Sequence, residues 1–149
     1  MKIKAGIAIL GLICSNSLWA FNCFFTLVKD NCWFKYNVTV DVVDANKSKT
    51  VATITVPAGQ SWARQSFACD KEEKLLYKAH FSPVIWESER GKEYMAHDYW
   101  SLPATINPND KAWDITVCYA ADFSETPMPP EATGTCVCDK SKIPAVPPQ

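Results

Sequence analysis

Residues 36–56 read Tyr36-Asn-Val-Thr-Val-Asp-Val-Val43, Asp44-Ala-Asn-Lys-Ser-Lys49, Thr50-Val-Ala-Thr-Ile-Thr-Val56. Val38, Val40 and Val42 alternate with Asn37, Thr39 and Asp41, and Ala52, Ile54 and Val56 alternate with Thr53 and Thr55. Side chains of a strand point to opposite faces in turn, so this is the pattern of a hairpin with one buried face, closed by a polar loop. The same signals recur on both sides of it. Thr26 to Val28 forms a short strand candidate followed by a turn at Asp30-Asn31. Pro57-Ala58-Gly59 is a turn, and Ser61 to Cys69 is a third long strand with Trp62 or Phe67 inward. Trp113, Ile115, Val117 and Tyr119 alternate with Asp114, Thr116 and Cys118 to give the last clear strand.

Two segments read less simply. Asp70 and Glu73 have the spacing of a capping box ahead of Leu75, Leu76 and Ala79, which suits a helix. Leu75, Tyr77, Ala79 and Phe81 also alternate with Leu76, Lys78 and His80, and Pro83 ends the run. A strand is the better reading because the flanking signals are all β. Val84-Ile85-Trp86 and Glu93-Tyr94-Met95-Ala96 flank a charged, glycine-containing loop and suggest a second hairpin.

The ends of the chain differ from its middle. Met1-Lys2-Ile3-Lys4, an apolar run from Ala5 to Cys14, and Ser15 to Ala20 have the layout of a secretory signal peptide cleaved after Ala20. The apolar run is too short to span a bilayer, and Ser15, Asn16, Ser17 and Asn22 interrupt any longer anchor. Lys2 and Lys4 are the only charges in residues 1–20, so cleavage takes the net charge from −1 to −3. A chain of that charge with no basic stripe carries no footprint for nucleic acid. No second apolar segment approaches spanning length, so the mature chain is expected to have no transmembrane segment. At the other end, six of the ten prolines lie between Pro127 and Pro148 and prevent a ladder there.

These observations predict a mainly β protein in three parts. Residues 1–20 are the signal peptide. Residues 21–123 form a small antiparallel β-sandwich, immunoglobulin-like in architecture. Residues 124–149 form an extended, proline-rich, cysteine-containing strap. Removal of Cys14 leaves Cys23, Cys32, Cys69, Cys118, Cys136 and Cys138. An even number in an exported chain predicts a disulfide framework, each bridge contributing about 2–4 kcal/mol. Cys136 and Cys138 are too close to pair with each other, so Cys23 and Cys32 are their expected partners, leaving Cys69 with Cys118. Cys118 lies on the Asp114/Thr116 face of its strand, which places that last bond away from the core. A metal site is disfavoured by the single-residue spacing of Cys136 and Cys138, and no cofactor is expected.

The candidate binding residues are Trp86, Glu87, Tyr94, His97, Tyr99 and Trp100. Five tryptophans in residues 21–149 are more than a small core holds comfortably, so some are expected at a surface. Aromatic rings beside carboxylates can anchor a protein interface or stack on sugar rings. Catalysis is not expected. His80 and His97 lie beside no recognisable nucleophile motif, and Glu87 with Glu93 reads as a solvated hairpin tip rather than a glycosidase pair. Asn37 and Asn46 head glycosylation sequons that matter only in a eukaryote. The chain therefore reads as an exported, periplasmic or secreted, non-catalytic module binding another exported or envelope protein, as an accessory part of a bacterial cell-envelope assembly. Carbohydrate binding or adhesion by the Trp86–Trp100 stretch is the alternative. Inhibition of a secreted hydrolase is a further one.

Overall fold

A computed structural model describes residues 21–146. The expected signal peptide lies outside that range. The described residues form eight strands and no α-helix: β1 (Phe21–Lys29), β2 (Asn37–Asp44), β3 (Lys49–Val56), β4 (Trp62–Cys69), β5 (Lys74–Ser82), β6 (Tyr94–Met95), β7 (Trp100–Ser101) and β8 (Ala112–Tyr119). One sheet has the order β4-β1-β8. The other has the order β3-β2-β5-β6, with β7 also paired to β5.

The β2–β3 hairpin forms in the register its alternation requires. Val38 opposes Val56, Val40 opposes Ile54 and Val42 opposes Ala52, all buried. The outer face is polar and cross-bonded: the Thr39 and Thr55 hydroxyls lie 2.9 Å apart, and Thr53 Oγ1 donates to Asp41 Oδ1 at 2.7 Å. Asp44 turns the chain by accepting from the Asn46 and Lys47 amides at 2.8 and 2.9 Å. Residues 74–82 are a strand, paired with β2 along its whole length, and Leu75, Tyr77 and Ala79 enter the core. The capping-box contact exists without a helix: Asp70 N donates to Glu73 Oε1 at 3.3 Å, and the chain then continues into β5.

Three expectations need correction. First, the antiparallel rule fails at one pairing: β1 runs antiparallel to β4 but parallel to β8. Alternation in β8 specifies which side chains are buried and carries no information on strand direction. β1 is also longer than expected, because Cys23 to Lys29 are buried on both faces and so do not alternate. Second, Val84–Trp86 is not a strand. Glu87–Glu89 is a 3-10 turn that carries the local Arg90–Glu87 and Lys92–Glu89 ion pairs, while Tyr94–Met95 pairs with β5 instead. Third, the disulfides join Cys23 to Cys69, Cys32 to Cys136 and Cys118 to Cys138. Only the Cys32–Cys136 bond follows the expected end-to-end scheme. Cys23 lies in β1 beside β4, where Phe21 opposes Cys69, so its nearest sulfur is within the sheet. Cys118, on the outer face, is left to the C-terminal segment.

Both sheets contribute to one core, with Phe25, Leu27, Val40, Ile54, Tyr77 and Val117 at its centre. Trp33, 1% exposed, closes one end against Phe81 and Tyr119. Beneath it sit two buried charged residues at the end of β1. Lys29, 3% exposed, donates from Nζ to the carbonyls of Phe34, Tyr36 and Pro57 at 3.2, 2.6 and 2.9 Å. Loss of water pushes its pKa down to about 8. Asp30 accepts from the Cys32 and Trp33 amides through Oδ1 and from the Ala120 amide through Oδ2. Beyond β8 the chain has no further strand among the described residues. It is held by its two disulfides and by Arg64, which donates to the carbonyls of Pro144 and Ala145 at 2.7 and 3.2 Å.

Two outcomes follow. Lys29→Met leaves three carbonyls without their donor and should lower the unfolding free energy by about 3 kcal/mol, read from denaturant midpoints. Non-reducing digestion and mass mapping should recover a Cys23–Cys69 peptide pair separate from a cluster containing Cys32, Cys118, Cys136 and Cys138. Any link between Cys69 and Cys118 contradicts this topology.

Candidate functional site

The outer margin of β5 is covered by two strands of two residues each. Met95 of β6 opposes Lys78, and Trp100 of β7 opposes Leu75. A continuous antiparallel ladder from Met95 would place residue 98 opposite Leu75. Trp100 is there instead, so two extra residues are accommodated between the strands and the chain bows outward. The bow presents His97, Asp98 and Tyr99, all exposed, Tyr99 by 58%.

This loop is tied down on both sides. Ala96 N donates to Tyr77 O at 3.0 Å and His97 N to Asp122 O at 2.9 Å. Ala96 also bridges Phe123, and Ser124 N donates to Met95 O at 2.8 Å. On the far side Leu102 N donates to Glu73 O at 2.9 Å. The Lys74 ammonium lies 4.0 Å from the centre of the Tyr99 ring, a cation–π contact that holds the exposed ring in place. An exposed tyrosine on an anchored backbone is ordered before any partner arrives, which lowers the entropy lost on binding.

The six sequence candidates divide into three groups. His97 and Tyr99 are displayed on the loop. Tyr94 and Trp100 lie beneath it: Tyr94 is buried and stacked on Phe81, and half-buried Trp100 meets Phe67 of the other sheet edge-on. The Tyr94 hydroxyl donates to Glu89 Oε2 at 2.7 Å, and burial together with that carboxylate pushes the phenol well above its ordinary pKa. Trp86 and Glu87 are elsewhere. Trp86 packs edge-on to Phe81, near the opposite end of β5 from Trp100, so the aromatic stretch is not one surface. There, His80, Val84, Trp86, Glu89 and Lys92 help to line a cleft of about 260 Å³.

The carboxylates of this region are paired. Arg90 donates twice to Glu87, at 2.8 and 2.9 Å, and holds its carboxyl below the usual range. Glu93 lies 3.8 Å from Lys78. A general acid needs a pKa raised toward neutrality, and Glu87 is shifted the other way. Asp30, Cys32 and Cys136 place three ligand-type groups together. However, the two sulfurs are bonded to each other and both Asp30 oxygens accept from amides, so this donor set does not suit a metal ion.

Sequence reasoning missed Lys74 and Asp122 as the supports of the loop. Lys74 could have been suspected only with the β5–β7 register in hand, and the Asp122 contribution is a peptide carbonyl that no side-chain pattern reveals. Tyr94→Phe should cost about 1 kcal/mol of stability in denaturant unfolding, through loss of the bond to Glu89. It should leave the displayed residues in place, seen as unchanged Tyr99 ring resonances. Comparison of the chain with known protein families, curated proteins and solved structures finds no match.

Proposed function

We propose that this chain is an exported, non-catalytic protein-binding module, an accessory component of a bacterial cell-envelope assembly, and that the 96–99 loop is its recognition surface. The observation carrying this reading is Tyr99: a large ring exposed on a loop whose backbone is anchored at both ends. Tyrosine supplies much contact area at small entropic cost and is enriched at binding hot spots. Three disulfides suit an oxidising compartment, periplasmic or extracellular, and no helix among the described residues is long and apolar enough to cross a membrane. In this reading the two sheets form an immunoglobulin-like sandwich, with the proline-rich C-terminal segment strapped to it as a brace for the loop.

A second reading is favoured by the Trp86 cleft. Its volume of about 260 Å³ suits a single sugar ring, with the indole as an apolar wall and Glu89 and Lys92 as hydrogen-bonding groups. The hydrolase-inhibitor reading draws less support, because the 87–93 tip is folded on its own ion pairs.

Crosslinked capture with tagged residues 21–149, from the envelope and medium of the producing bacterium, separates the first two. The binding-loop reading expects a reproducible protein partner whose recovery falls at least about tenfold with Tyr99→Ala and is unaffected by Trp86→Ala. Recovery of glycan without a stoichiometric protein, lost with Trp86→Ala, moves the function to the cleft.

A further inference from the structure

Two acids are buried together at the far end of the β2–β3 hairpin. Asp44, the last residue of β2, is 2% exposed, and Glu73, just before β5, is 8% exposed. Asp44 opposes Leu75 across the β2–β5 ladder and Ala45 N donates to Lys74 O at 2.8 Å, which brings the two carboxyl groups within reach of each other, so that each shifts the other's pKa. A hydrogen bond between two carboxyls requires a proton on one of them, and two ionised carboxylates in contact out of water repel strongly. The surroundings decide which one is protonated. Asp44 Oδ1 accepts from the Asn46 and Lys47 amides at 2.8 and 2.9 Å. Glu73 Oε1 accepts one bond, from the Asp70 amide, at 3.3 Å. Asp44 is therefore the better site for the negative charge and Glu73 the better site for a proton between them.

The other charges near the pair do not replace that proton. On the β2–β3 side, Lys47 reaches Asp70 at 3.9 Å with both side chains largely exposed, and Lys49 opposes Asp44 across the ladder. On the Glu73 side, Asp70 adds a like charge, Lys71 and Glu72 are exposed, and the Lys74 ammonium is over the Tyr99 ring. Among the described residues no ion pair involves Asp44 or Glu73.

The backbone around Glu73 is also where the recognition loop is fastened. Glu72 N donates to Pro103 O at 3.0 Å, Leu102 N donates to Glu73 O at 2.9 Å, and β7 pairs with Lys74 and Leu75. Ala45 N donates to Lys74 O at 2.8 Å, so this dock is itself moored to the hairpin turn beside Asp44.

We propose that the Asp44–Glu73 carboxyl pair is a proton-operated clasp for the 96–103 segment. With one shared proton it holds residues 72–75 against the hairpin turn and fixes Tyr99, Trp100 and Leu102. With both carboxylates ionised it pushes the 70–73 turn away and frees the segment. Burial first, then the bond to Asp44, pushes the Glu73 pKa up from 4.5 to about 7, while Asp44 is held low by its partner proton and by the Lys47 amide. The direction of the effect is fixed by these shifts. A carboxyl raised in the closed form stabilises that form fully below its open-form pKa of 4.5, and the benefit is lost as pH rises toward about 7. The regulatory meaning rests on reading 96–99 as a binding loop; the clasp does not, and it can be tested without a partner.

The test is amide hydrogen exchange by NMR on residues 21–149, following Leu102 and Glu72, with Val40 in the hairpin centre as the reference. After correction for intrinsic exchange rates, Leu102 protection should fall roughly thirtyfold between pH 5.5 and 8.5, as the two pKa values require, while Val40 changes little. Glu73→Gln should remove this pH dependence, because the amide can donate to Asp44 and still accept from Asp70 N at any pH. Asp44→Asn should do the same, since its amide can donate to an ionised Glu73, and it serves if Glu73→Gln fails to fold. Unchanged Leu102 protection across the range, or a wild-type pH dependence surviving in either variant, overturns the clasp. A pH-dependent Leu102 together with an inert Tyr99→Ala overturns the binding loop and leaves the clasp standing.

Discussion

The end of β1 is where this fold is fastened, and it is fastened by two charges out of water. Lys29 gathers three carbonyls from the chain before β2 and the chain after β3. Asp30 gathers three amides from the 3-10 turn and from the exit of β8. The two side chains serve opposite halves of the peptide group, with all three Lys29 protons donated and both Asp30 oxygens accepting. Burying an ammonium and a carboxylate is costly, and saturating their hydrogen bonds is what makes it tolerable. Lys29 and Asp30 thus tie both sheets at one end, and Trp33 can seal that end because the turn carrying it is fixed.

Alternation made the strands legible. Val38 to Val42 and Ala52 to Val56 bury every second residue, Ile115 to Tyr119 alternates in sequence although Cys118 is buried as well, and all three are strands. Failures came where the deciding fact was not periodic. β1 is buried on both faces, so only Thr26 to Val28 reads as a strand in the sequence and the residues from Phe21 to Phe25 show no alternation that would extend it. Its parallel pairing with β8 depends on the side from which β8 enters, which is set by the whole chain path. Residues 84–93 have hairpin composition, yet local ion pairs and the open margin of β5 offered a better arrangement.

The candidate site was legible in composition and illegible in arrangement. Tyr94, His97, Tyr99 and Trp100 do share one margin of a sheet, but half face inward. Trp86 shares Phe81 with Tyr94 but lies near the opposite end of β5 from Trp100, so it is apart from the displayed loop. The Asp70–Glu73 spacing is an instructive case. It suits a helix start as well as a strand, and the backbone contact of a capping box is present, but residues 74–82 pair with β2 and the chain extends, as the flanking β signals favour.

The pattern of disulfides has a consequence for how the chain must be made. Cys23 and Cys69 are separated by 46 residues and both precede Cys118, Cys136 and Cys138, so their bond can close before any of those is made. Cys32 is flanked by that pair in sequence, but its partner is 104 residues further on. During synthesis it has no native partner until Cys136 is made, and neither has Cys118 until Cys138 is made. Thiols in that position exchange readily unless shielded. The Asp30-capped turn, which buries Cys32 beside Trp33, supplies such shielding if it forms before the C-terminal segment emerges. The order in which these six sulfurs can reach their partners is therefore built into where the chain places them.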